Sequence, residues 1–150
     1  MRRVTTLADL RPLVGSVVGS SPWVEVDQQR IDLFAEATGD HQWIHVDPER
    51  ARSGPFGATI AHGYLTLSML LPLWSELLEV DSVTTKVNCG LNKVRFPAPL
   101  AVGSRIRATV TLRALEDVVG GAQLTIDGVI EREGGDKPVC VAEAVLRFYE

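Results

Sequence analysis

The second half of the chain alternates between apolar and polar residues, whereas the first half groups its apolar residues at helical spacing. From Ser104 to Leu115, Ile106, Ala108, Val110 and Leu112 fall on one face, and Arg105, Arg107, Thr109, Thr111 and Arg113 fall on the other. A period of two with one apolar face predicts a half-buried strand. Residues Ala122–Glu133 and Val139–Tyr149 repeat the pattern, with Gly120-Gly121 and Gly134-Gly135-Asp136 between them as hairpin turns. A further strand is expected over Lys86–Phe96, ended by Pro97 and Pro99. Its alternation sets Asn92, Val94 and Phe96 on one face, with Lys93 and Arg95 on the other.

The first half reads differently. Leu7–Val14 predicts a short helix around Pro12, and Trp23–Val26 a short strand. Asp27 is a natural N-cap for a helix carrying Ile31, Phe34, Ala35 and Thr38, which Gly39 stops. Residues 39–47 are then a loop. Asp47 caps a short helix with Pro48 in its first turn, and Ser53–Gly57 is loop. From about His62 to Leu78 an apolar helix is expected, greasy almost all round and interrupted by Pro72. An antiparallel meander plus one buried helix is an α+β arrangement. The simplest solution is a curved sheet wrapped around a long central helix, the hot-dog fold, in one domain over residues 1–150. Such a sheet leaves an edge open, so a homodimer is expected.

Composition narrows the function. The 150 residues carry a formal net charge of -4 with neither sign in a block, which argues against a nucleic-acid partner. Cys89 and Cys140 are far apart and belong to no metal motif, so they read as reduced thiols of a cytoplasmic protein with no metal site. No apolar signal segment follows Met1–Thr6. The apolar run Leu65–Leu78 holds Thr66, Ser68, Pro72, Ser75 and Glu76, too short and polar for a bilayer, so no membrane partner is expected.

The chemistry concentrates in Gly39-Asp40-His41-Gln42-Trp43-Ile44-His45. A loop can turn an acid and a histidine five residues apart toward one point, as general acid–base water addition requires. Spacing alone equally allows Asp40 to cap local backbone and His45 to be a structural histidine. A second stretch, Ala61-His62-Gly63, brings a loop into the long helix at a glycine. Free amides at a helix start can hold an oxygen that gains negative charge, and glycine permits close approach. Equally, Gly63 is a tight entry and nothing more. Lys93 and Arg95 are able to meet phosphates or simply to solvate a strand face, and Asn88 and Asn92 are able to line a pocket or end a strand. Ser68 and Ser75 lack a nucleophile-elbow context, and the glycines form no phosphate loop. Trp23, Trp43 and Trp74 read as packing residues.

Taken in order, these segments resemble the MaoC-like hydratase family, also called hydratase 2. The matching residues are Phe34-Ala35-Glu36-Ala37-Thr38-Gly39-Asp40, His45, Ala61-His62-Gly63, and Arg95-Phe96-Pro97-Ala98-Pro99-Leu100 followed by Val102-Gly103. The resemblance covers roughly residues 20–148 and looks closest to the single-domain, NodN-like branch with its mycobacterial (R)-hydratases. The family loop reads Asp-x-Asn-Pro-x-His; here Gln42 replaces the asparagine and Trp43 the proline, so Trp43 is a candidate to narrow the pocket. The resemblance implies an (R)-specific enoyl-CoA hydratase, with Asp40 and His45 activating water and the Gly63 amide holding the enolate oxygen. His62, Gln42, Asn92 and Arg95 complete the substrate-binding candidates, His62 read as anchoring its loop. It implies no metal or redox cofactor, since CoA belongs to the acyl-CoA thioester substrate, and an acyl tunnel near a dimer interface. The competing readings are a hot-dog acyl-CoA thioesterase and a non-catalytic partner subunit of a dehydratase complex.

Overall fold

A computed structural model describes residues 1–150. The chain runs β1 (Arg2–Val4), a 3₁₀ helix (Leu7–Leu13), β2 (Val17–Ser20), β3 (Val24–Val26), α1 (Gln28–Thr38), α2 (Trp43–Val46), α3 (Pro48–Arg52), α4 (Gly63–Ser75), β4 (Leu78–Val80), β5 (Thr85–Arg95), β6 (Ser104–Val118), β7 (Gly121–Arg132) and β8 (Cys140–Tyr149). The main sheet is antiparallel in the order β2-β6-β7-β8-β5, with β3 also pairing β6. β1 and β4 form a separate parallel pair.

The alternation of β6, β7 and β8 appears directly in their burial: every second residue is buried over Ile106–Leu112, Ala122–Ile130 and Cys140–Phe148. Helix α4 touches all three strands. It contributes Leu65, Met69, Leu70, Leu73 and Trp74 to one continuous core of 29 buried residues. The seat is close: a Cβ at Gly128 of β7 would stand 2.5 Å from Leu70 Cδ1. This is the α+β hot-dog architecture.

Three expectations are corrected. The central helix stops at Ser75, and Leu78 is buried in β4 beside Arg2. A continuous apolar run does not separate buried helix from short buried strand. The helix is also not enclosed all round, since Tyr64, Ser68, Pro72 and Ser75 form an exposed stripe. Strand β5 does not alternate cleanly. Its register slips between Asn88 and Gly90 and again between Leu91 and Lys93, leaving Cys89 and Asn92 unpaired. Each bulge resets which side chains share a face, so Asn92 falls out of line with Val94, which packs on the core.

Candidate active site

Helix α1 is closed by Gly39, whose φ of 80° and N–H bond to the Ala35 carbonyl turn the chain sharply. Asp40 follows, held by its own N–H to Thr38 Oγ1 at 3.3 Å. Its side chain is 54% exposed. Residues 39–47 are not wholly loop: Trp43–Val46 form one helical turn, α2, which aims His45 inward. His45 is 7% exposed. Its Nδ1 lies 2.7 Å from the Ile60 carbonyl. A carbonyl only accepts, so Nδ1 carries the proton and Nε2 is left bare. Gln28, which no sequence pattern singles out, holds this turn in place. Its Nε2 donates to the His45 carbonyl at 2.7 Å, and its Oε1 accepts from Thr59 Oγ1 at 2.6 Å.

His62 precedes α4 and is 3% exposed. Its Nε2 donates to the Asp40 backbone carbonyl at 2.9 Å and stands 4.0 Å from the Asp40 carboxylate. Its ring stacks on that of His45, centroids 3.9 Å apart and planes inclined 23°. Its Nδ1 is buried without a hydrogen-bond partner. The fold thus brings Asp40, His45, His62 and Gly63 around one cavity of ≈ 320 Å³, shared with Phe34, Thr38, Tyr64 and Phe96. His45, Gly63 and Phe96 also line a second cavity of ≈ 290 Å³, with Thr66 and the Ala98–Leu100 segment.

Gly63 is the first residue of α4, so its N–H has no partner within the helix. Its φ is not in the left-handed region. What requires glycine is space: a Cβ there would meet the Phe96 ring at 3.2 Å. Burial pushes the His45 pKa below its ordinary value, and the neighbouring His62 adds to this, against the opposing pull of the Ile60 hydrogen bond and Asp40. The buried imidazole is therefore neutral near neutral pH, with Nε2 able to accept a proton.

Asp40, His45 and His62 offer ligand atoms within 4.8 Å of one another, close enough to raise the question of a metal. The ring geometry does not fit one. A metal lies near the plane of each imidazole that binds it, at about 2.0–2.1 Å. Planes stacked 3.9 Å apart and only 23° inclined meet far beyond that reach.

Gln42, Asn92 and Arg95 are not brought to the cavity. Gln42 is exposed at the start of α2 with no side-chain cap bond. Asn92 sits at the exposed bulge of β5. Arg95 is exposed and bonds its neighbour's carbonyl, on Val94, at 2.7 Å. Trp43 also stays outside both walls. Its ring packs on Gly54, under the Arg50 guanidinium at 4.3 Å, so it does not narrow the pocket. Phe34, Thr38, Tyr64 and Phe96 join the site through tertiary packing alone.

Residues 9–133 match the family of the MaoC like domain. The chain belongs to the MaoC-like family. Among its relatives, 3-hydroxyacyl-thioester dehydratase Z of Mycobacterium tuberculosis is 53% identical over 149 residues, 99% of both chains. Nodulation protein N of Rhizobium leguminosarum bv. viciae is 43% identical over 149 residues, 95% of this chain and 92% of its own. The structure of R-hydratase PhaJ1 from Pseudomonas aeruginosa superposes with a TM-score of 0.78 at 20% identity, covering 98% of this chain and 87% of that one. At that identity the likeness concerns the fold. This MaoC-like chain therefore presents a carboxylate, a neutral imidazole and a free helix amide at one cavity, the set that proton transfer next to a thioester carbonyl calls for.

Proposed function

We propose that this protein is an (R)-specific enoyl-CoA hydratase, a hydro-lyase adding water to a trans-2-enoyl-CoA to give the (R)-3-hydroxyacyl-CoA, and catalysing the reverse dehydration. The observation that carries the reading is the bare Nε2 of a buried, neutral His45 beside Asp40, facing a cavity that the Gly63 amide shares. The 53% identical 3-hydroxyacyl-thioester dehydratase Z supports it.

In this reading a water sits between Asp40 and His45. Its oxygen bonds C3 while its proton passes to the pair. The C2=C3 electrons move toward the thioester oxygen, which the Gly63 N–H stabilises. C2 then takes a proton from the pair, so one water is added and the residues return to their starting state. The chemistry is proton transfer only, and CoA enters as part of the substrate. The acyl chain follows α4 into the apolar cavity of ≈ 330 Å³ between Leu67, Leu71, Leu91 and Leu146. Arg95, exposed one residue before Phe96, meets the CoA phosphates at the rim.

The same reading includes a homodimer. Strand β5 is an edge of eleven residues, exposed throughout except Val94, with Leu91 47% exposed. A long exposed edge invites pairing with a second copy, which would also cover the Tyr64 stripe of α4. The reading puts the enzyme in the cytoplasm, where unpaired Cys89 and Cys140 stay reduced. No helix of the chain is long and apolar enough to cross a membrane.

The test is loss of the enoyl-thioester absorbance with crotonyl-CoA, followed by chiral analysis of the product. (R)-3-hydroxybutyryl-CoA is expected. Release of free CoA without hydration would make the protein a thioesterase, and no turnover by the lone protein would make it a partner subunit.

A further inference from the structure

Two serines on α4 occupy their hydroxyls in the same way. Ser68 bonds back to the Tyr64 carbonyl at 2.7 Å and Ser75 to the Leu71 carbonyl at 3.0 Å. Thr38 in α1 does likewise to Phe34 at 2.7 Å. Thr66 does not. It is 2% exposed, yet its hydroxyl makes no hydrogen bond within the chain, and it lines the second cavity with His45 and Gly63. The hydroxyl is not sealed among side chains, as His62 Nδ1 is, so a molecule in that cavity can reach it.

Position identifies that molecule's chemistry. Thr66 lies three residues after Gly63, on the same helix face, and helical side chains lean toward the N-terminus. Its hydroxyl therefore leans toward the level of the Gly63 amide. The Gly63 amide, the Thr66 hydroxyl and the neutral His45 imidazole thus border one cavity. Two donors with no acidic group among the cavity's lining residues suit an oxygen acceptor that gains negative charge.

We propose that Thr66 is a further catalytic residue, its Oγ–H donating to the thioester oxygen of the substrate beside the Gly63 N–H. The assignment rests on the thioester substrate of the preceding reading. It adds a second donor, supplied by a side chain, to the one supplied by the backbone.

The test compares Thr66→Val, which keeps the shape and removes the hydroxyl, with Thr66→Ser, which keeps the hydroxyl. Crotonyl-CoA kinetics give kcat and KM. Calorimetric titration gives the affinity for butyryl-CoA and for S-butyl-CoA, a thioether with no carbonyl oxygen. Thr66→Val is expected to lower kcat by about 10²-fold, at the lower end for one oxyanion donor, and to lose preference for thioester over thioether. Thr66→Ser is expected to retain most of both. The thermal midpoint of Thr66→Val should not fall, since no partner inside the chain is orphaned. Wild-type kcat with an unchanged thioester preference in Thr66→Val would overturn the proposal. If the wild-type protein hydrates nothing but prefers the thioester, and Thr66→Val loses that preference, the hydratase reading fails and the Thr66 assignment stands. If the wild-type protein shows no such preference, the assignment falls.

Discussion

The imidazole of His62 lies against that of His45, ring centroids 3.9 Å apart, while its Nε2 holds the backbone carbonyl of Asp40 at 2.9 Å. One buried ring thus touches both members of the proposed pair. Each histidine donates one ring N–H to a backbone carbonyl, so the tautomers are fixed by the fold.

Asp40→Asn and His45→Gln should each lower crotonyl-CoA turnover by about 10²–10⁴-fold, the usual contribution of a general acid–base group. Circular dichroism should remain native, because Asp40 is exposed and glutamine still reaches for the Ile60 carbonyl. Near wild-type turnover in either folded variant would remove that residue from the mechanism.

His62→Gln should be milder than His45→Gln. A glutamine amide can donate to the Asp40 carbonyl as Nε2 does, and only the stacking is lost. The ratio of the two kcat values decides this. If His62→Gln abolishes activity while His45→Gln is tolerated, the proton carrier sits at the helix entrance instead.

The acid limb of the rate profile should lie below the ordinary histidine value of 6.5, because burial lowers the His45 pKa. The proposed acceptor is the neutral imidazole, so activity falls as pH drops through the folded pKa. Stability carries the same sign. Below 6.5 the unfolded chain binds the proton more readily than the folded one, so His45 progressively destabilises the fold as pH falls toward its folded pKa. Denaturant melts at several pH values, wild type against His45→Gln, should show a weaker acid loss in the variant.

Gly63→Val should lower kcat by about 10²–10³-fold, as for loss of one oxyanion donor. A side chain there must push the Phe96 ring, 3.2 Å from the Cβ position, and crowds the ligand. Steady-state kinetics beside thermal melts should show a larger effect on kcat than on stability.

Gly128→Ala tests the core alone. Its Cβ would overlap Leu70 of α4 at 2.5 Å. Overpacking of this kind typically costs about 1–3 kcal/mol, which urea titration should reveal. An unchanged midpoint would mean that α4 is not seated on β7 as described.

The sequence by itself determined the strands β6, β7 and β8, their hairpin glycines, the Asp27 cap and the Gly39 stop, because each rests on local periodicity or local backbone chemistry. It also supplied Asp40, His45 and Gly63 as candidates, through residue type and order. Tertiary structure alone decided the rest. The short strands β1, β2 and β4 gain their hydrogen bonds from partners distant in sequence, so no local pattern announces them. The bulges of β5 moved Asn92 out of register because pairing with β8, not alternation, sets each face. His62 meets His45, and Gln28 meets Thr59, only because α1, α2 and the start of α4 close on one another. Which of several plausible polar residues share a cavity is a matter of long-range packing. Thr66 lines the second cavity beside His45 and Gly63, and Gln42 and Arg95 line neither.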